Sequence, residues 1–172
     1  MKVKIRSRKA IEEMAANGFE KATALISITD VKEPPANLKN KPEFLLELKF
    51  EDIDNSIFEY GLYKEWLGDE DAELNNKTRP IYEEKLHMIS ESQALEIALF
   101  VNDIRDKVDV IICQCEAGKC RSSAIAAAIL EHKYRKGIKV FADERYEPNK
   151  FVYHRIMNAF EKLKRERKND EQ

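Results

Sequence analysis

The chain's three cysteines, Cys113, Cys115 and Cys120, all fall in one short segment, Ile111-Ile112-Cys113-Gln114-Cys115-Glu116-Ala117-Gly118-Lys119-Cys120-Arg121-Ser122-Ser123. Disulfide scaffolds space their cysteines apart, so clustering of this kind points to a reactive or metal-binding site. An apolar run leads into the cysteines and an Ala-rich stretch follows Arg121, which reads as a buried strand, a short loop and a helix. In that arrangement Cys115 ends the strand, backbone N–H groups of the loop can converge on one point, and the helix amino terminus adds about half a positive charge there. The result is an anion cradle. Gly118 allows a backbone conformation or a close approach closed to other residues, and Arg121 can hold two oxygens of a tetrahedral dianion in a planar fork. A cysteine at a helix amino terminus beside an arginine is poised as a thiolate, which makes Cys115 a nucleophile aimed at phosphorus. Attack would give a phosphocysteine that water then hydrolyses, with no metal required.

In these residues the chain resembles the cysteine-dependent tyrosine and dual-specificity phosphatases, in particular their compact bacterial and phage members. Their signature, Cys-x-x-Gly-x-x-Arg followed by Ser or Thr, stands here as Cys115, Gly118, Arg121 and Ser122. The resemblance implies that Cys115 is the nucleophile, that Arg121 binds phosphate and that the Ser122 hydroxyl helps Cys115 leave in the second step. Glu116, Ala117, Gly118, Lys119 and Cys120 would supply the cradling amides. It implies no cofactor, and as substrate a phosphorylated protein or a small phosphate ester. The chain departs from the family at Gln114, where relatives carry His; Gln can still brace the loop by a hydrogen bond but cannot carry charge.

The family also needs an acid to protonate the leaving oxygen, commonly an Asp on a loop after an earlier strand. Asp52 in Phe50-Glu51-Asp52-Ile53-Asp54 takes that position, with Asp54 next and Asp30 third; the alternative is that these are ordinary solvated carboxylates at strand ends. Cys120 or Cys113 can serve as a redox partner that protects an oxidised Cys115, or can be a small buried hydrophobe. The Cys-x-Cys-x4-Cys spacing matches no common zinc pattern, so no metal is expected. Two other functional classes share the same residues: a phosphate-binding module without turnover, and a thiol redox protein using Cys115 with Cys120. His87, His132 and His154 are scattered singly, Lys119 and the basic run 162–168 read as solvated charge, and Tyr146, Pro148 and Asn149 read as a turn in which proline opens the final helix.

The elements that must position this loop follow from periodicity. Residues 1–5, 23–28, 44–50 and 108–113 read as strands, and 7–16, 91–106, 121–136 and 148–168 as helices. Gly137 is expected to close the third of these helices, and Ser90 with Gln93 forms a capping box for the second. Pro34-Pro35 forces an extended loop. Residues 61–86 are polar and irregular, an insertion carrying one helical piece anchored by Trp66 and Leu67, or a lid. Strands interleaved with helices predict an α/β sandwich on a largely parallel sheet, with the phosphate loop between a central strand and a helix.

At 172 residues the chain fits one phosphatase-like domain, with the polar insertion at 61–86 and a charged tail from about 164. Thirty basic residues against 32 acidic ones leave a net charge of −2 and no bulk field for nucleic acid or anionic lipid. The longest apolar run, Ala124 to Leu130, is too short to span a bilayer, and charge from Lys2 onward is unlike a secretory signal, so a cytoplasmic location is expected, with neither nucleic acid nor membrane as partner.

Overall fold

The computed structural model describes residues 1–170. It is a single α/β domain in which four parallel strands, β1 (Lys2–Ser7), β2 (Thr23–Thr29), β3 (Phe44–Lys49) and β4 (Val110–Cys115), lie in the order β1-β4-β2-β3. The helices are α1 (Arg8–Asn17), α2 (Ser56–Glu59), α3 (Tyr63–Leu67), α4 (Thr78–Lys85), α5 (Glu91–Ile104), α6 (Arg121–Tyr134), α7 (Ile138–Phe141) and α8 (Lys150–Asp170).

The two central strands are buried along their whole length, apolar or small except for Gln114, because both faces are covered. Their alternation divides the core. Ala24, Ile26, Ile28, Ile111, Cys113 and Cys115 join the large cluster under α5, α6 and α8, while Leu25, Val110 and Ile112 join a smaller one with Ile11 of α1. Helix α6 is buried nearly all round; Ala124, Ala126, Ala127 and Ala128 are small enough to let it lie between the sheet and α8. The connection from β2 to β3 has no helix. It lays Ala36 and Leu38 onto the smaller cluster, and Arg8 holds it through Nη2 to the carbonyls of Pro34 (2.9 Å) and Pro35 (3.0 Å).

Several boundaries differ from the sequence reading. Strand β4 starts at Val110 and continues to Cys115, because Gln114 and Cys115 pair with Arg6 and Ser7 of β1 and Gln114 pairs with Ser27 of β2, so neighbours on both sides sustain the ladder. Gly137 does not close α6. Arg135 does so in the left-handed conformation (φ 57°), and Gly137 has ordinary helical dihedrals. Glycine stands at 137 for space, since a Cβ would lie 2.7 Å from the Ala127 carbonyl oxygen and 2.8 Å from Glu131 Cβ. Residues 61–86 hold two helices instead of one, pinned by buried Tyr63 and Tyr82, whose rings stack at 5.7 Å; Trp66 is 63% exposed. Pro148 precedes the cap of α8 rather than opening the helix, for Asn149 Oδ1 accepts from the Val152 N–H at 3.0 Å, and the helix continues through the charged run to Asp170.

Candidate active site

Every strand runs the same way, so the residues that follow the four carboxyl ends gather along one edge of the sheet. Cys115 ends β4, the β1–α1 junction lies beside it, and Asp30 and Phe50 follow β2 and β3. Helix α6 begins over the same edge at Arg121.

The loop 116–120 is held from outside by its carbonyls. Glu116 O accepts from Arg8 N (3.0 Å), Lys119 O from Glu147 N (3.2 Å), and Cys120 O from Ala124 N (3.0 Å) and Asn149 N (3.3 Å). Ser123 Oγ donates to Lys119 O and Cys120 O. None of the N–H groups of residues 116–120 donates to another group among the described residues. A loop tied back through the carbonyls of Glu116, Lys119 and Cys120, with its amides unspent, is what an anion site built from backbone requires. Gly118 has φ +70°, and a Cβ there would meet Ser7 N at 2.6 Å and the Arg6 carbonyl carbon at 2.8 Å. Both glycine properties, left-handed dihedrals and close approach, are therefore used at this one position.

Cys115 is buried, and its Sγ lies 3.0 Å from Ser122 Oγ in the first turn of α6. Arg121 is only 3% exposed. Its Nη1 donates to Phe50 O at 2.7 Å and is 2.5 Å from Asp30 Oδ1, an ion pair without hydrogen-bond alignment. Its Nε has no hydrogen-bond acceptor and stands 3.9 Å from Asp52 Oδ2. A buried guanidinium with an unspent N–H is a ready ligand for an oxyanion.

Asp52 and Asp54 lie beyond the end of β3, in the irregular segment that leads into α2. Asp52 Oδ1 accepts from Asn149 Nδ2 at 2.9 Å, and Asn149 also donates to Ile53 O at 3.2 Å. Asp54 is engaged differently: its Oδ1 accepts from both Ser56 N (2.9 Å) and Ser56 Oγ (2.5 Å) at the start of α2. A cleft of about 660 Å³ opens beside Asp52, Asn149 and Cys120, lined by the apolar Ile57, Trp66, Phe141, Tyr146 and Pro148 and by the charged Asp54, Glu147 and Lys150.

Gln114 is buried, but it braces the sheet and not the loop. Its Oε1 accepts from Ser27 Oγ at 2.5 Å and its Nε2 reaches Ile28 O at 3.5 Å. The Cys113 thiol is buried in mid-strand, and burial raises its pKa far above the ordinary value, so it stays protonated. Cys120 is half-buried; burial and then the Asp52 carboxylate push its thiol up to about 12. Lys119 is exposed. His132 stacks on Phe160 at 4.0 Å, His154 lies edge-on to Tyr153, and His87 sits between α4 and α5. Among the described residues no group of three or more His, Cys, Asp or Glu is arranged to hold a metal ion, and no helix is long and apolar enough to cross a membrane.

Sequence reasoning gave no functional part to Asn149, Ser27 or the β1–α1 junction, and read Asp30 only as a distant choice for the acid. The available signal was positional: in a parallel sheet, polar residues just past the carboxyl ends of buried strands converge.

No family model matches the chain, and no curated protein matches it. Among solved structures it is similar to PTPMT1, at a TM-score of 0.52 and 10% identity over 98% of this chain and 95% of that one. It is also similar to human DUSP28, at 0.47 and 15% identity over 95% of this chain and 94% of that one. The chain shares the fold of PTPMT1, a parallel sheet flanked by helices.

Proposed function

We propose that the protein is a metal-independent phosphomonoester hydrolase of the tyrosine or dual-specificity phosphatase type, acting on a phosphorylated protein or a small phosphate ester. The observation that carries this reading is the loop 116–120, whose amides are unspent, between Cys115 and a buried Arg121 with a free Nε. A phosphoryl group in the cradle has its equatorial oxygens on the loop amides and Arg121, and phosphorus faces Cys115 Sγ. Sulfur attacks, the P–O bond breaks, and Asp52 supplies the proton to the leaving oxygen. The leaving group then lies in the cleft that Asp52 borders, where the rings of Trp66, Phe141 and Tyr146 suit a phenol. In the second step water attacks the phosphocysteine, the Asp52 carboxylate takes its proton, and Ser122 Oγ stabilises the departing thiolate from 3.0 Å. Glu116, Ala117, Gly118, Lys119 and Cys120 act through their backbones.

The test is hydrolysis of p-nitrophenyl phosphate by the wild type and by Cys115→Ser, with chelator present. Turnover in the wild type and none in the variant is expected. Turnover that survives the serine change, or that chelator abolishes, would sink the assignment. A second reading, a phosphate-binding module without turnover, is favoured by Gln114, whose amide is taken up by Ser27 and Ile28 instead of the loop. It predicts phosphate binding by both proteins and hydrolysis by neither.

A further inference from the structure

We propose that the cleft beside Asp52 selects a phosphotyrosine flanked by a basic residue, with the Glu147 and Asp54 carboxylates and the Trp66 ring receiving the flanking cation. The inference deepens the functional reading above and rests on it. The cleft meets the cradle at Asp52, whose Oδ2 stands 3.9 Å from the buried, unpartnered Nε of Arg121, so a phosphoryl group held by Arg121 leaves the rest of its substrate in the cleft. A volume of about 660 Å³ falls within the span of about 300–1,000 Å³ that takes a drug-sized ligand. One phenol does not fill it, so a residue next to the tyrosine enters as well.

Charge is segregated along this path. The phosphoryl dianion is met by Arg121 and the loop amides, whereas the cleft carries the carboxylates of Asp52, Asp54 and Glu147 against the single ammonium of Lys150. Two of those carboxylates have capacity to spare. Asp54 spends Oδ1 on Ser56 N and Ser56 Oγ, leaving Oδ2 without a hydrogen bond among the described residues, and Glu147 is engaged there only through its backbone N–H, which donates to Lys119 O at 3.2 Å. Trp66 is free too: it is exposed, and among the described residues no ring or guanidinium stacks on it. An open indole in one cleft with unpaired carboxylates suits an ammonium or guanidinium, by attraction to the ring face and by ion pairing. The Tyr146 ring already carries a cation in this way, the Arg145 guanidinium at 5.3 Å, whose charge Asp143 offsets at 2.6 Å. Lys119, the other cation near the cradle, is exposed on the loop and does not line the cleft. A second phosphate on the substrate therefore meets repulsion where a basic side chain meets partners.

The experiment compares phosphotyrosine peptides that differ only in the residues on either side of the tyrosine, which are Lys, Gln or Glu. It reads kcat/KM for the wild type, Glu147→Gln, Glu147→Lys and Trp66→Ala, each referred to p-nitrophenyl phosphate, and calorimetric binding of the same peptides to Cys115→Ser. Exposed charge pairs contribute about two- to fivefold each, so at about 0.01 M salt the Lys-flanked peptide should exceed the Glu-flanked one by about tenfold, with Gln between them. At about 1 M salt, where screening acts within about 3 Å, most of that preference should vanish. Both Glu147 substitutions fall on an exposed side chain and keep the backbone bond to Lys119. Glu147→Gln should halve the preference and Glu147→Lys should abolish or reverse it, while Trp66→Ala should cost the Lys-flanked peptide more than the Gln-flanked one. An inositol trisphosphate should be hydrolysed no better than the Glu-flanked peptide. Equal rates on the three peptides, a preference for Glu or for the inositol phosphate, or a Lys preference that Glu147→Lys leaves unmoved would overturn the inference alone, as would turnover of p-nitrophenyl phosphate with no peptide bound. If the wild type hydrolyses nothing and Cys115→Ser binds no peptide, the functional reading falls and takes this inference with it.

Discussion

Replacing Gly118 by Ala tests the cradle through its backbone. Two costs can be separated. The first is conformational: φ is +70° at Gly118, and a residue with a Cβ loses about 1–2 kcal/mol there. The second is steric. The new Cβ would sit 2.6 Å from Ser7 N, and ordinary contact begins at 3.4 Å, so one side must retreat. Neither yields easily, because Ser7 is laddered to β4 and the loop is tied back by Arg8 N to Glu116 O at 3.0 Å. Overpacking of this kind costs about 1–3 kcal/mol. The destabilisation should therefore reach about 2–5 kcal/mol in urea or thermal unfolding. Gly68 provides the control: it is left-handed (φ 66°, ψ 30°) but nothing lies within 4 Å of the added Cβ, so Gly68→Ala should show the conformational cost alone. Displacing the loop by several tenths of an ångström also misaligns the amides, and hydrolysis of p-nitrophenyl phosphate by Gly118→Ala should drop by about 10²-fold, while Gly68→Ala stays near wild type. Should Gly118→Ala unfold no more readily than Gly68→Ala and turn over substrate normally, the close approach of loop and β1 is not what requires glycine.

Asp52→Asn should lower phosphotyrosine turnover by about 10²-fold and spare p-nitrophenyl phosphate, whose phenolate leaves without a proton; Asp54→Asn should change neither substrate much and instead weaken the start of α2, where Asp54 caps Ser56. The reverse pattern would exchange the two roles. Cys120, pushed up to about 12 by burial and Asp52, should resist iodoacetamide at mildly alkaline pH in the folded protein, and Asp52→Asn should speed its alkylation by removing a charge that opposes the thiolate, as peptide mass spectrometry would show. Burial holds His132 below its ordinary 6.5, so the folded state disfavours its protonation: its contribution to stability is complete above 6.5 and is lost as pH falls below that value toward the lower folded one. His132→Phe, which keeps the stack on Phe160, should flatten that acid-side slope in unfolding curves; an unchanged slope would assign it to other groups.

Features that depend on neighbours in sequence are legible in the sequence itself. Ser90 and Gln93 exchange their two capping hydrogen bonds within one turn. The segment from Cys115 to Ser122 sets a strand end, a tight loop and a helix amino terminus in consecutive residues, which need only local geometry to face one another. The predominantly apolar runs of β2 and β4 likewise pointed to a sheet covered on both faces, hence parallel strands.

What surrounds that segment was decided by the order of the strands. Placing β4 between β1 and β2 brings Ser7 against Gly118, Ser27 onto Gln114 and Asp30 to Arg121, pairs separated by long stretches of chain. Asn149 reaches Asp52 only because α8 packs on α5 and α6 and returns its first residues to the same edge. Such contacts leave no periodic trace in a sequence, since an Asp or Asn after a strand or before a helix has the same local role whether or not a distant partner awaits it. The polar segment 61–86 shows the same limit from the other side: Tyr63 and Tyr82 anchor it through each other's rings, while Trp66, the larger and more apolar side chain, is left exposed along the cleft that Asp52 lines. Hydrophobicity sets how strongly a side chain favours burial, and the tertiary packing of α3 against α4 settles which of them is buried.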